Sequence, residues 1–231
     1  MYLKKLIMVL IISIFCAPAF AGETQLEKST NVIREIMQTP DKGIPQDLLD
    51  KSVCVGIVPS ELKFALVVGG TYGRGVLVCR QGGNGPWGAP SFFTLGAGSV
   101  GFQIGGKATD VVFLVMNPEG AKKLVQDSVK LGAEVSATAG PVGRSAEGAT
   151  DVQLHAEILS YSRTRGLFAG LSLDGAVLKQ DKEDNELLYH RAISARDILI
   201  NGEMAVPPSA QPLDDTLAKY SPKGGLAFSR V

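Results

Sequence analysis

Aromatic residues are scarce in this 231-residue chain, at 6% with a single tryptophan, and there are only two histidines, His155 and His190. The first shortage leaves no stacking platform for single-stranded nucleic acid. The second rules out a three-histidine metal site, and no His-Glu-x-x-His pair for zinc occurs. Neither sign of charge is in surplus, since 23 Lys and Arg face 23 Asp and Glu, whereas binding a phosphate backbone demands an excess of cations. Three cysteines are too few for a disulfide-stapled miniprotein. What is present suffices for one globular domain: 45% hydrophobic and 20% charged residues can bury a core. The 27 glycines and 12 prolines predict many turns and closely approaching backbones.

The first 21 residues read as an export signal. Lys4 and Lys5 precede an apolar run from Leu6 to Phe15, and Ala19-Phe20-Ala21 offers the small residues a signal peptidase reads. That run is about half the roughly 20 residues a membrane span needs. Cys16 raises a lipoprotein reading, but Phe15 stands where a small residue is expected. Cleavage near Ala21 would give a periplasmic or secreted protein with 21 basic and 23 acidic residues, so attraction to an anionic surface would have to come from a local patch. Cys54 and Cys79 would then meet an oxidising compartment, which predicts a disulfide between them. The rival readings are a metal pair, which lacks further Cys ligands and a nearby His, and a reactive thiol.

Thr24 to Gln38 has the periodicity of an amphipathic helix, with Leu26, Ile33 and Met37 on one face; it either packs on the domain or inserts in a membrane. Residues 22–45 are thus a helix and linker, 46–205 the main domain, and 206–231 a C-terminal helix and tail. Within the main domain, short β-rich runs separated by glycine predict a mainly antiparallel sheet, because no room is left for crossover helices. Asn117-Pro118 starts one internal helix whose apolar face is expected to run through Val129. Asp174-Gly175 between two apolar runs predicts a hairpin. The fold class is therefore α+β: one antiparallel sheet curved into a half-open barrel or sandwich, with helices near both termini and one internal.

Gly96-Ala-Gly98-Ser-Val-Gly101 matches a dinucleotide fingerprint, but no helix is expected to start inside it, and the helix N-terminus is what binds the pyrophosphate. No serine lies in a Gly-x-Ser-x-Gly elbow, and His155 sits on an alternating strand as a solvated or hydrogen-bonded residue. The run Asp181-Lys-Glu-Asp-Asn-Glu186 lacks the glycine of a calcium loop and reads as a solvated turn. No cofactor, metal or catalytic residue is assigned. An enzyme, as an unrecognised hydrolase, is the weakest alternative.

Three stretches together resemble the SYLF domain family, also called Ysc84-like: Val68-Gly-Gly-Thr-Tyr-Gly-Arg-Gly-Val76; Gly98-Ser-Val-Gly-Phe-Gln-Ile-Gly-Gly106; and Arg165-Gly-Leu-Phe-Ala-Gly-Leu-Ser-Leu-Asp-Gly175, with Asn185 and Tyr189 downstream. The resemblance covers roughly residues 46–200, and the third stretch is the most specific. It implies a non-enzymatic lipid-binding module, since eukaryotic members bind phosphoinositide membranes through an N-terminal helix and basic residues and fungal members also bind actin. Here the helix is not net basic, Tyr189-His190 replaces the family's usual Tyr-Gly, and export would remove actin as a natural partner. The expected partner is an anionic phospholipid surface, met by Arg74, Lys107, Arg144, Arg163 and Arg165 beside glycine-rich turns; an envelope protein that pairs with exposed strand edges is the alternative.

Overall fold

The computed structural model describes residues 21–38, 43–59, 70–98, 109–143, 155–164 and 167–222. The expected signal peptide up to Phe20 therefore lies outside the described residues, as do the β-rich runs 64–68 and 99–104 and residues 152–154; of the alternating strand expected around His155, residues 155–157 are not strand and the strand begins only at Ile158. The elements are α1 (Ala21–Met37), α2 (Gln46–Lys51), β1 (Cys54–Val58), β2 (Gly70–Cys79), β3 (Ser91–Gly98), β4 (Asp110–Val115), α3 (Pro118–Leu124), β5 (Ser128–Lys130), β6 (Ala137–Ala139), β7 (Ile158–Thr164), β8 (Leu167–Gly170), β9 (Val177–Gln180), α4 (Lys182–Tyr189), α5 (Ala195–Leu199) and α6 (Gln211–Tyr220).

The nine strands of the described residues join one sheet in the order β5-β9-β3-β2-β1-β4-β7-β6, with β8 also pairing β7. Every pairing is antiparallel except β6 with β7. The far edge of β7 is shared, its first half taken by β6 at Ile158 to Ser160 and its second half by β8 at Tyr161 to Thr164.

The curl of the sheet follows from two short connections. β8 and β9 are joined by residues 171–176 yet stand six strand steps apart, about 29 Å in a flat sheet at the usual ~4.8 Å spacing. From Gly170 to Val177 a fully extended chain covers only about 25 Å, so the edges must bend toward each other. Residues 131–136 make the same passage from β5 to β6. The two straps meet: Leu131 N–H donates to Ala176 O at 2.8 Å and Gly175 N–H to Leu131 O at 2.9 Å. Gly132, at φ +83°, lies against Asp174, where a methyl would sit 2.5 Å from Oδ1. The result is an α+β half-barrel.

Alternation along each strand splits the buried side chains into two sets. The inner set includes Leu77, Phe93, Leu95, Phe113, Ile158 and Leu178, together with Leu131, Val135 and Leu173 of the straps, and α3, α4 and α5 add to it. Two aromatic rings lie flat over neighbouring glycines: a methyl on Gly56 would sit 2.0 Å from Phe113 Cζ, and one on Gly75 2.5 Å from Phe93 Cζ. The two rings pack edge to face with centroids 5.7 Å apart. The outer set, with Val55, Ile57, Val76, Phe92, Leu114 and Tyr161, is covered by Leu26, Ile33 and Ile36 of α1 and Leu213 and Leu217 of α6. The apolar stripe of α1 is spent on the domain.

A buried cation fastens the C-terminal end of this cover. Arg80, 2% exposed, donates to Ser52 O, Gly85 O, Ser221 O and Ser221 Oγ and stacks on Trp87 at 3.9 Å from the ring centroid. Trp87 Nε1 also donates to Ser221 O, and Ser221 Oγ to Asp50 Oδ1. Desolvation lowers the Arg80 pKa to about 10 against the opposing charge of Asp50.

Three local expectations are corrected by tertiary pairing. The internal helix stops at Leu124, because Val129 is drawn into β5 opposite Leu178. Asp174-Gly175 is a turn, but its flanking runs do not form a hairpin: β8 pairs β7 while β9 pairs β3 and β5. The acidic run from Asp181 is no solvated turn; Asp181 caps α4, its side chain accepting from Asp184 N–H.

Candidate functional site

Strand direction gathers one end of the half-barrel into a rim. β1, β3 and β7 end there and β2, β4 and β8 begin there, as the pairs Ile57↔Val76, Gly70↔Gly98, Val58↔Val111, Asp110↔Arg163 and Thr164↔Leu167 require. Arg74 on β2 and Arg163 on β7 occupy one row of this rim on the outer face. Helix α1 spans the row: Gln25 donates to Arg74 O, and ten residues later Glu35 pairs with Arg163.

Both arginines are engaged by carboxylates. Arg74 lies 3.0 Å from Asp181 and 2.9 Å from Asp184. Its burial alone would lower its pKa, but Asp181 and Asp184 more than compensate and raise it. Burial and the neighbouring Asp181 and Glu183 raise the Asp184 pKa despite Arg74. Arg163 pairs with Asp110 at 3.0 Å as well as with Glu35. These counter-ions went unread in the sequence, because Asp110 opens an apolar strand and Asp181 and Asp184 belonged to a presumed turn. Lys107, Arg144 and Arg165 lie outside the described residues; by chain order Lys107 belongs to the β3–β4 connection, Arg165 to β7–β8, and Arg144 follows β6.

At the opposite end Cys54 and Cys79 stand directly across the β1–β2 ladder and are joined as a disulfide. The pair lines a cleft of about 130 Å³ with Arg80, Ala121, Lys122 and Leu199. A second, more open groove of about 420 Å³ lies beside the crossing straps, lined by Gly132, Ser136, Thr138, His155 and Asp174. Its polar groups serve the fold: Ser172 Oγ donates to Asp174 Oδ2, and Ser136 exchanges hydrogen bonds with Glu157. Among the described residues no group of three or more His, Cys, Asp or Glu is placed to hold a metal ion. None of their helices is long and apolar enough to cross a membrane.

The residues that carry the resemblance are architectural where they are described. Asn185 accepts from Phe92 N–H and donates to Ser91 Oγ, and Tyr189 Oη donates to Pro90 O, so both moor α4 to the start of β3. The stretch from Leu167 to Gly175 is β8 and its strap. The glycine-rich run that mimicked a dinucleotide loop is strand as far as Gly98.

Residues 96–220 match the family described as Ysc84, Las17-binding protein actin regulator. Similar chains include an SH3 domain-containing protein of Schizosaccharomyces pombe, 38% identical over 83% of this chain and 46% of its own length. Protein YSC84 of Saccharomyces cerevisiae is 31% identical over 83% of this chain and 42% of its own. The human SH3 domain-containing YSC84-like protein 1 is 30% identical over 87% of this chain and 60% of its own. The chain thus spans about half the length of these relatives. The strand-rich core, the mooring of α4 and the family match converge, and the chain belongs to the Ysc84, or SYLF, family.

Proposed function

We propose that this protein is an exported, non-enzymatic module that docks on an anionic phospholipid surface of the cell envelope. The observation that carries the reading is the single rim at which the strands flanking Lys107 and Arg165 end or begin. Cations carried in the chain between those strands would approach a bilayer together, each contributing roughly 1 kcal/mol at an anionic surface. Arg74 and Arg163 serve this contact from behind by holding α1 and α4 in place, since each is already matched by two carboxylates.

Flotation with phosphatidylglycerol and cardiolipin vesicles at low salt tests this. The parent is expected to float, and the triple variant Lys107→Glu, Arg144→Glu, Arg165→Glu is expected to stay at the bottom with an unchanged melting temperature. A parent that never floats ends the lipid reading, and a triple variant that floats as well as the parent removes the rim from it.

A second reading, a protein partner, is favoured by β8. This edge strand carries Leu167 at 69% exposure and no charge or proline to guard it, and relatives are named as Las17-binding. Cross-linking in cells that recovers one protein through β8, without lipid dependence, would favour it.

A further inference from the structure

The Cys54–Cys79 bond is set in a ladder that holds on both sides of it. Beyond it Val55↔Val78, Gly56↔Leu77 and Ile57↔Val76 continue in register, and before it Arg80 N–H donates to Val53 O at 2.8 Å. Each cysteine is also held from its far side. Cys54 faces Val115 across the β1–β4 pairing, and Cys79 O accepts from Gly88 N–H at 2.9 Å. Opening the sulfur–sulfur bond therefore asks for no movement of the backbone, and the two freed sulfurs would stay opposite each other.

The bond also has an approach from outside. Cys54 and Cys79 are 1% and 4% exposed, yet both form part of the wall of the cleft of about 130 Å³ at the end away from the rim. A cavity of roughly 150 Å³ holds a benzene molecule, so the cleft admits a reagent of a few heavy atoms and excludes a protein. No aspartate or glutamate among the described residues lines it, whereas Arg80 and Lys122 do; Glu119, the partner of Lys122, is 70% exposed and stands outside the wall. The attacking species in disulfide exchange is an anion, the thiolate, and this wall does not repel it.

We infer that Cys54–Cys79 is a thiol-exchange site of the folded protein, opened through this cleft by a small thiol. The incoming thiolate bonds to one cysteine sulfur, the Cys54–Cys79 bond breaks, and its electron pair leaves on the other sulfur as a thiolate. A second small thiol then displaces the first from the mixed disulfide. Two thiols are thereby oxidised to one small disulfide, and the two cysteines are reduced and take up their protons. With a small disulfide as the oxidant the same steps run backward, and the ladder favours closure because it keeps both sulfurs within reach of each other. The site is a reversible modification point at the closed end of the sheet, and it stands apart from the membrane reading.

The test uses the purified native protein without denaturant, 2-mercaptoethanol as the small thiol and glutathione as a bulky one. Acid quenching, alkylation in denaturant and mass spectrometry then count free Cys54 and Cys79. Each rate is divided by that of the same thiol on the unfolded protein, which removes the intrinsic difference between the reagents. We expect 2-mercaptoethanol to open the bond in the folded protein and its own disulfide to close it again. Glutathione is expected to be about tenfold slower on this scale, since access limits exchange. Lys122→Trp, which adds an indole at the exposed wall of the cleft, is expected to slow 2-mercaptoethanol at an unchanged melting temperature. A native bond that 2-mercaptoethanol leaves intact, or an opening rate that rises with sub-denaturing guanidinium in step with unfolding, overturns the site. Glutathione as fast as 2-mercaptoethanol on this scale, or full speed in Lys122→Trp, does the same.

Discussion

His190 ends α4 with φ at 55°, the left-handed region where side chains other than glycine are strained. The resemblance implies glycine after Tyr189, and the backbone supplies the reason. His190→Gly is expected to raise stability by about 0.5–1 kcal/mol, because relief of the strain outweighs the added freedom of the unfolded chain; denaturant unfolding of the two proteins checks it, and a loss would mean that the imidazole makes a contact worth more than the strain. Glycines inside strands were legible only in part. The composition announces close approach, but which ring meets which glycine depends on register, and Phe113 reaches Gly56 only because β4 pairs β1 with those two residues opposite. Arg80 was illegible for a similar reason: nothing local says that a cation after a strand will be walled in by Trp87 and by Ser221, 141 residues away.

At the scale of elements, caps and apolar stripes were readable and strand partners were not. Asn117 accepts from Gly120 N–H at the start of α3 as the Asn-Pro pair predicts, and α1 buries the face its periodicity marks. Ser128 to Lys130 continued the helical pattern of α3 and was lost to β5, because a pattern of three residues cannot outweigh pairing with β9. One side chain now ties three of these elements. Glu157 receives Lys123 Nζ from α3 at 2.8 Å and Ser136 N–H from the strap at 2.9 Å, just before β7. Burial opposes its charge more than any other single influence, yet Lys123 and Ser136 together hold its pKa below the ordinary carboxylate value. The stability from this knot is therefore complete above the unfolded carboxylate pKa of about 4.3 and is lost as pH falls through the lower folded value. Melting temperatures of the parent and Glu157→Gln are expected to differ at pH 7 and to converge toward pH 3; a difference that persists at pH 3 would assign the effect to packing.

For the molecule as a whole, composition and spacing sufficed to read an α+β sheet curved into a half-open barrel or sandwich, with a disulfide, whereas the choice of a half-barrel, the outer helical cover and the strand order required the three-dimensional structure. The disulfide joins residues that the β1–β2 ladder already sets opposite one another, with Val55↔Val78 and Gly56↔Leu77 following in register. Reduction is therefore expected to cost roughly 3 kcal/mol, the entropy of a loop of this length in the unfolded chain, while leaving the far-ultraviolet circular dichroism of the native state unchanged. Guanidinium unfolding with and without reductant measures the first, and a loss of native signal in reductant alone would show that the ladder cannot stand without the bond.

The crossing of the straps also fixes when the barrel can be finished. β9 is the last strand in the chain, yet it lies between β3 and β5, and its partners on β3 are more than 80 residues earlier. Contacts so distant carry the loop-closure cost that slows folding. A nascent chain that stops short of Gln180 leaves β3 and β5 as two open edges facing an empty slot, with both straps unable to meet. The latest strand to be made is thus the keystone, and the family's most specific stretch is the lead that delivers it.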